Sequence, residues 1–157
     1  MTGDLDGHQE GQFVVFRLVN EQYGIPINAV HEIIVLQRSN RLPQMPDYVE
    51  GIVDLRGRII PVVDLRKRFG FPPRPEQSNR TIVADIGEIE AGLLVDDVVG
   101  VIRVPTDAIQ PPPGMFTTNT AMVSGVARVD NRLVILLDPN LILTEREQER
   151  LEAQVAE

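Results

Sequence analysis

Apolar positions along the chain come in short runs separated by turn residues. Residues 13–19 (FVVFRLV) are rich in β-branched and aromatic side chains and predict a strand. Glu21-Gln22 then turns the chain into a second strand over residues 23–27. Residues 28–34 (NAVHEII) place Val30, Ile33 and Ile34 at helical spacing, but seven residues fit a helical turn and a strand start equally. Residues 51–55 and 58–65 flank Arg56-Gly57 and predict a hairpin with a two-residue connection. Residues 81–86, 90–95 and 98–104 read as further strands, and Val123–Val129 with Arg132–Leu137 as a hairpin around Asp130-Asn131. Proline marks the breaks: a loop over 42–46, a linker over 71–79 (FPPRPEQSN) and a rigid loop over 110–114 (QPPPG). The pattern predicts one helix, over 144–155. Thr144 with Glu147 three residues later makes a capping box, and Glu145 opposes the helix dipole favourably. Leu151 and Val155 form a thin apolar stripe that fits docking on a barrel, or a solvated tail.

The pattern repeats once. At an offset of 68, Gly24 falls on Gly92, Val30 on Val98 and Ile33 on Val101, while Val14, Val15 and Leu18 fall on Ile82, Val83 and Ile86. At an offset of 74, Gly51 falls on Gly125, Leu55 on Val129, Arg58 on Arg132 and Asp64 on Asp138. The difference fits a longer loop around Pro111–Pro113. Self-similarity at this period suggests two related β-units, each closed into a barrel to dispose of its edges. Units this small bury little core alone and are expected to share an interface.

Composition narrows the chemistry. The 157 residues contain no Cys, no Trp and two His, which excludes disulfides, thiolate nucleophiles and Cys-ligated metals. The balance points away from an enzyme and towards a binding module without a cofactor. A net charge of −8 argues against nucleic acid as the main partner. The apolar runs are of strand length, so no membrane insertion is expected, and the polar first twelve residues do not resemble a secretory signal. His8 sits in that polar tail, and His31 beside Glu32 has no metal-ligand spacing around it. Asp4, Asp6 and Glu10 lack the remaining ligands of a calcium loop. Asp96-Asp97 read as strand-end solvation. Residues 51–80 stand apart, with seven Lys/Arg and three acids, a net of +4. They are either a docking face for an acidic protein partner or a solvated strand end. An Arg fork suits a carboxylate, so Arg56 at the hairpin tip is paired by hypothesis with Glu32.

Together these features resemble the CheW family, the coupling proteins of bacterial chemotaxis. The likeness runs through Phe16-x-Leu18, Tyr23-Gly24-Ile25, Val30-x-Glu32-Ile33, the segment from Gly51 through Asp54-Leu55-Arg56-Gly57, Ile60-Pro61-Val62-Val63-Asp64-Leu65-Arg66, Gly92-Leu93-Leu94-Val95-Asp96 and Gly125-Val126. It covers residues 12–143; most relatives have Asn in place of Asp54. The resemblance implies an all-β fold of two small five-stranded SH3-like β-barrels packed together, with a C-terminal helix. Residues 1–12 would then be a flexible polar tail and 13–143 the CheW-like domain, with subdomains near 13–72 and 80–143 and strands open to exchange. Residues 144–157 would be the helix. It further implies a non-catalytic cytoplasmic adaptor, held at the inner face of the membrane through receptor arrays. The adaptor links chemoreceptor tips to the histidine kinase CheA through that kinase's CheW-like regulatory domain, and further copies can join in rings. Matching the family's motifs, Glu32, Gly51, Arg56 and Gly57 are the expected kinase-binding residues. Val30, Gly92, Val98 and Val101 are expected in a receptor-binding groove between the barrels. A scaffold of a different chemosensory array, serving surface motility or gene regulation, is the alternative. A small enzyme or metal protein is a third reading, opposed by the scarcity of His and Cys.

Overall fold

The structure, a computed structural model, describes residues 10–36, 39–73, 79–112 and 122–156. Within them run β1 (Glu10–Leu18), β2 (Glu21–Pro26), β3 (Val30–Val35), β4 (Val49–Leu55), β5 (Arg58–Asp64), β6 (Arg80–Ile86), β7 (Ile89–Val95), β8 (Asp97–Pro105), β9 (Ile109–Gln110), β10 (Val123–Val129) and β11 (Arg132–Leu137). A short helix, α1 (Leu65–Phe69), follows β5, and α2 (Glu145–Ala156) ends the chain. The strands form a six-stranded sheet, β8-β1-β2-β11-β10-β9, and a five-stranded sheet, β3-β6-β7-β5-β4. The expected all-β architecture of two small barrels and a terminal helix is present. One sheet gains a sixth strand because a single-turn helix at Thr106–Ala108 directs the two-residue β9 onto Val126 and Ala127 of β10.

Each sheet draws strands from both halves of the chain. The hairpin β1–β2 sits with β8–β11, and the hairpin β6–β7 sits with β3–β5. Parallel ladders join the exchanged pieces: Gly24 pairs with Leu136 across β2 and β11, and Gly92 with Val62 across β7 and β5. These glycines are the mates of the sequence repeat, so the internal likeness is one of register as well as pattern. Bulges recur at matched places too, between Val49 and Gly51 in β4 and between Val123 and Gly125 in β10.

Packing follows this exchange. Val53, Leu55, Ile60, Val62, Val83 and Leu94 fill the five-stranded barrel, and Val15, Val104, Ala127, Val134 and Leu136 fill the six-stranded one. The largest cluster belongs to neither alone. Val14, Phe16, Leu18, Tyr23 and Ile25 from one hairpin meet Ile82, Ala84, Ile86, Ala91 and Leu93 from the other.

Several local details differ from the pattern reading. The strand expected from residue 13 starts at Glu10, because the ladder with β8 carries the polar Gly11 and Gln12 through backbone bonds. Val19 leaves that strand for a turn, at φ +63°. Residues 28–34 resolve into a helical turn at Ile27–Ala29 followed by β3, whose burial alternates as a strand's does. The helix α1 occupies Leu65–Phe69, where the pattern extends a strand to residue 65. Asp64 caps it by accepting from the backbone N–H groups of Arg66 and Lys67 at 3.0 and 3.4 Å, and Gly70 ends it at φ +80°. Phe71, in the expected linker, packs edge-on against Phe69. Asp4, Asp6, His8, residues 74–78 and Pro113-Gly114 lie outside the described residues.

The terminal helix is docked. Thr144 and Glu147 form the reciprocal capping box, at 3.1 and 2.8 Å. Leu151 is fully buried, and the Gln148 side chain donates to the Leu143 carbonyl and accepts from the Glu88 N–H. Arg68 donates to the Ile142 carbonyl and to Glu147, with its guanidinium 5.3 Å from the Tyr48 ring centroid. Burial, with Glu147 beside it, pushes the Tyr48 hydroxyl up to about 12. Leu151→Ala is expected to cost about 2–4 kcal/mol and Thr144→Ala about 1 kcal/mol in urea unfolding. A Leu151 variant of wild-type stability contradicts the docking.

Candidate functional site

The connection between β4 and β5 is two residues long, and both have positive φ: Arg56 at 54° and Gly57 at 90°. Such a turn matches the right-handed twist of its strands. Glycine accepts this conformation freely, whereas an arginine there is strained by about 1 kcal/mol or more. The Asp54 carboxylate fastens the turn by accepting from the Gly57 N–H at 2.8 Å. Arg56 therefore stands at a rigid tip, and its guanidinium donates to the Glu32 carboxylate as the sequence hypothesis required.

That bond spans a gap in the sheet. Glu32 lies on β3 and Arg56 beside β4, and these are the two edges of the five-stranded sheet. Curling brings the edges together, and Asn40 bridges to Ile52 of β4 by backbone bonds of 2.9 and 2.8 Å. Gly51 makes the bridge possible. A Cβ there would lie 2.7 Å from the Asn40 carbonyl oxygen. Its mate Gly125 serves the six-stranded barrel likewise, where a Cβ would lie 2.9 Å from the Gln110 carbonyl oxygen. Gly51 itself is buried.

The second residue set is more dispersed. Val30 and Val98 are half-buried against the shared core, one on each sheet's edge strand. Val101 is 52% exposed on β8, with Val99 exposed beside it, and Ile33 and Val35 are exposed on β3. Of these neighbours, Ile33 belongs to the repeat and the family motif, whereas Val99 and Val35 are marked only by the alternation along their strands. Gly92 is buried within β7, and the room left by its missing side chain is taken by the Thr81 methyl group, 2.8 Å from where a Cβ would stand.

Two charge readings need correction. Asp96 is not merely solvated. It accepts from Arg66 through Nε at 2.7 Å and through Nη2, and from the Val19 N–H at 2.8 Å. Asp97 pairs with Arg17 at 3.1 Å. The basic segment 51–80 is also largely neutralised within the fold. Arg56, Arg58, Arg66 and Arg68 pair with Glu32, Glu90, Asp96 and Glu147, all acids outside that segment or at its far partners. The +4 sum is thus not a free cationic face.

His31 is the bulged residue of β3 and reaches Asp85 of β6 at 2.8 Å, with Glu90 of β7 4.0 Å away and Arg58 bound to Glu90. No group of three or more His, Cys, Asp or Glu among the described residues is arranged to hold a metal ion. No helix among them is long and apolar enough to cross a membrane.

Comparison with known proteins decides the family. The model of the CheW-like domain matches residues 12–147. The chain belongs to the CheW family. It is 34% identical over 146 residues to the chemotaxis protein CheW of Klebsiella aerogenes, covering 91% of this chain and 88% of that protein. It is 32% identical over 149 residues to CheW of Treponema pallidum, with the same coverage. The crystal structure of the CheW scaffolding protein from Thermoanaerobacter tengcongensis superposes with a TM-score of 0.76 at 41% identity, covering 81% of this chain and 88% of that one. The fold is accordingly the two-barrel SH3-like fold of CheW, and the chain is a chemotaxis coupling adaptor. Its relatives are chemotaxis proteins and do not favour an array of another kind.

The hydrogen bond that the protonated His31 ring donates to the Asp85 carboxylate raises the His31 pKa above 6.5. A raised folded-state value means stabilisation that is full below the unfolded-state pKa and fades as pH rises through the folded one. In an NMR titration His31 is expected above 6.5, and lower in Asp85→Asn than in the wild type. A His31 that titrates identically in both contradicts the pairing.

Proposed function

We propose that this CheW-family adaptor works without catalysis in the cytoplasm, joining chemoreceptor tips to the regulatory domain of the histidine kinase CheA. The kinase-side contact in this reading is the hairpin tip, with Arg56 and Glu32 as its polar centre. One observation carries it, the difference between the two repeats. Both barrels have the bridging segment and the glycine that admits it, so closure needs no more than these. At the offsets of the repeat, Glu32 and Arg56 fall on Gly100 and Asp130, so the matched positions of the second barrel carry no such pair. The charged tip is therefore an addition to the fold, exposed and geometrically fixed, which is what partner recognition needs. An exposed pair of this kind stabilises by no more than about 1 kcal/mol, so stability gives little reason to hold an arginine at positive φ.

Gly57 and Gly51 serve this contact indirectly in the same reading. Gly57 allows the turn, and Gly51 allows the strand behind it to close. On the receptor side, Val30, Val98 and Val101 supply apolar surface for a helical tip, and Gly92 acts from inside the sheet by admitting Thr81. Further copies of the family would meet similar barrel surfaces in rings, and association with receptors would hold the protein at the inner membrane face.

The test is a titration with the purified CheA regulatory domain. The wild type is expected to bind at micromolar strength or better. Arg56→Glu and Glu32→Ala should each weaken binding by at least about tenfold while keeping the unfolding midpoint near the wild type's. Equal binding by both variants would overturn the site assignment. Val101→Asp is expected to weaken binding of a receptor-tip fragment and leave the kinase domain's affinity unchanged.

A further inference from the structure

The chain crosses between the barrels twice in matched places, and the two crossings are built differently. From β2 to β3 it passes through the turn at Ile27–Ala29, which has no side-chain cap and no buried residue. From β7 to β8 it passes through Asp96, whose carboxylate and guanidinium partner are 14% and 12% exposed. By the offsets of the repeat, the mates of Asp96 and Arg66 are Asn28 and Asn140, which carry no charge.

The bonds of Asp96 reach both barrels. Arg66 stands in α1, directly after β5 of the five-stranded barrel. Val19 stands in the β1–β2 turn of the six-stranded barrel, and its N–H donates to the same carboxylate. The Asp96 backbone N–H donates to the Arg17 carbonyl at 3.1 Å, again in the six-stranded barrel. Arg66 uses its remaining Nη1 on the carbonyls of Pro72 and Pro73, both at 3.2 Å. Val19 itself is β-branched at positive φ, a conformation that persists only where surroundings impose it. The hydrogen bonds to Asp96 also raise the Arg66 pKa.

We propose that Arg66 and Asp96 are a positioning pair that fixes the angle between the two barrels at this crossing, so that both partners can be engaged at once. This rests on the reading above, in which the kinase-side tip follows β4 and the receptor-side Val98 and Val101 lie on β8. Arg66 follows, in α1, the hairpin strand that begins two residues after Arg56, and Asp96 directly precedes β8. A part-buried bidentate pair contributes orientation as well as stability, because desolvation offsets part of its attraction.

The absence of Cys permits a clean distance measurement. Spin labels at Glu88→Cys and Arg132→Cys, one exposed position on each barrel, should give one narrow distance population by pulsed electron paramagnetic resonance. In Asp96→Asn that population is expected to broaden or shift. The double variant Arg66→Gln/Asp96→Asn removes both charges together, so it leaves neither ion without its partner, and it should broaden likewise with cooperative unfolding retained. Affinity for the CheA regulatory domain alone, and for a receptor-tip fragment alone, should stay within about twofold of the wild type. Retention of the kinase domain on immobilised receptor tip through the adaptor should fall at least about tenfold, since linked binding fails when geometry forbids simultaneous engagement. An unchanged distance distribution in the double variant overturns the proposal, whatever the partners do. If Arg56→Glu binds the kinase domain normally, the function assigned to the tip fails, and the distance measurement still decides the brace.

Discussion

The two parallel pairings, β5 with β7 and β11 with β2, are what the rest of the structure depends on. A parallel neighbour cannot be supplied by a tight turn and must arrive from elsewhere in the chain. Here each half of the chain provides the hairpin that the other half's barrel lacks. An unexchanged half would leave strand edges unpaired and open to association. The exchange also explains why the hairpins are apolar on both faces. Val15 and Val83 point into their respective barrels, while Val14, Phe16, Ile82 and Ala84 point into the core between them. One strand with two buried faces reads as a continuous apolar run, as residues 13–19 do.

Shared construction makes the differences between the repeats informative. Closure of each barrel is achieved in the same way, with Gly51 admitting Asn40 and Gly125 admitting Gln110. Asp64 caps α1 after β5, and its mate Asp138 caps the short turn after β11 by accepting from the Asn140 N–H. Against this common frame, Arg56 with Glu32 and Arg66 with Asp96 occur once each.

Strands and turns were legible because two-residue turns with positive φ, Arg56-Gly57 and Asp130-Asn131, interrupt apolar runs at a recognisable length. The capping box was legible because its two members lie three residues apart. Sheet membership could not be read this way: hairpin pattern states which strands are neighbours in sequence, not which barrel receives them. The helix α1 is five residues with three consecutive basic side chains, too short to display a period, although Asp64 and Gly70 at its ends were available as signals. The Arg66–Asp96 bond joins residues 30 apart on separate elements, and no local pattern marks it. Arg56 with Glu32 was reachable from chemistry, because a fork at a turn and a carboxylate on an apolar strand are both unusual. The internal roles of Gly51 and Gly92 needed coordinates, since a glycine that admits a partner and one that admits its own sheet look alike in sequence.

Exposure separates the arginines of the basic segment more sharply than charge does. The side chains of Arg66 and Arg68 are 12% and 17% exposed, and their bonds run to the β7–β8 crossing and to the start of α2. Those two hold elements together. Arg58 is half-exposed and pairs with Glu90, a carboxylate that His31 also approaches at 4.0 Å. Arg56 is 66% exposed and bonds to a carboxylate that is itself 27% exposed. Water already screens that bond, so a partner's carboxylate can compete for the guanidinium at small cost, while the turn keeps its direction fixed. A side chain held in place by backbone geometry and only lightly held by its ion pair loses little freedom on binding. That combination, rather than net positive charge, is what distinguishes Arg56 from the other cations around it.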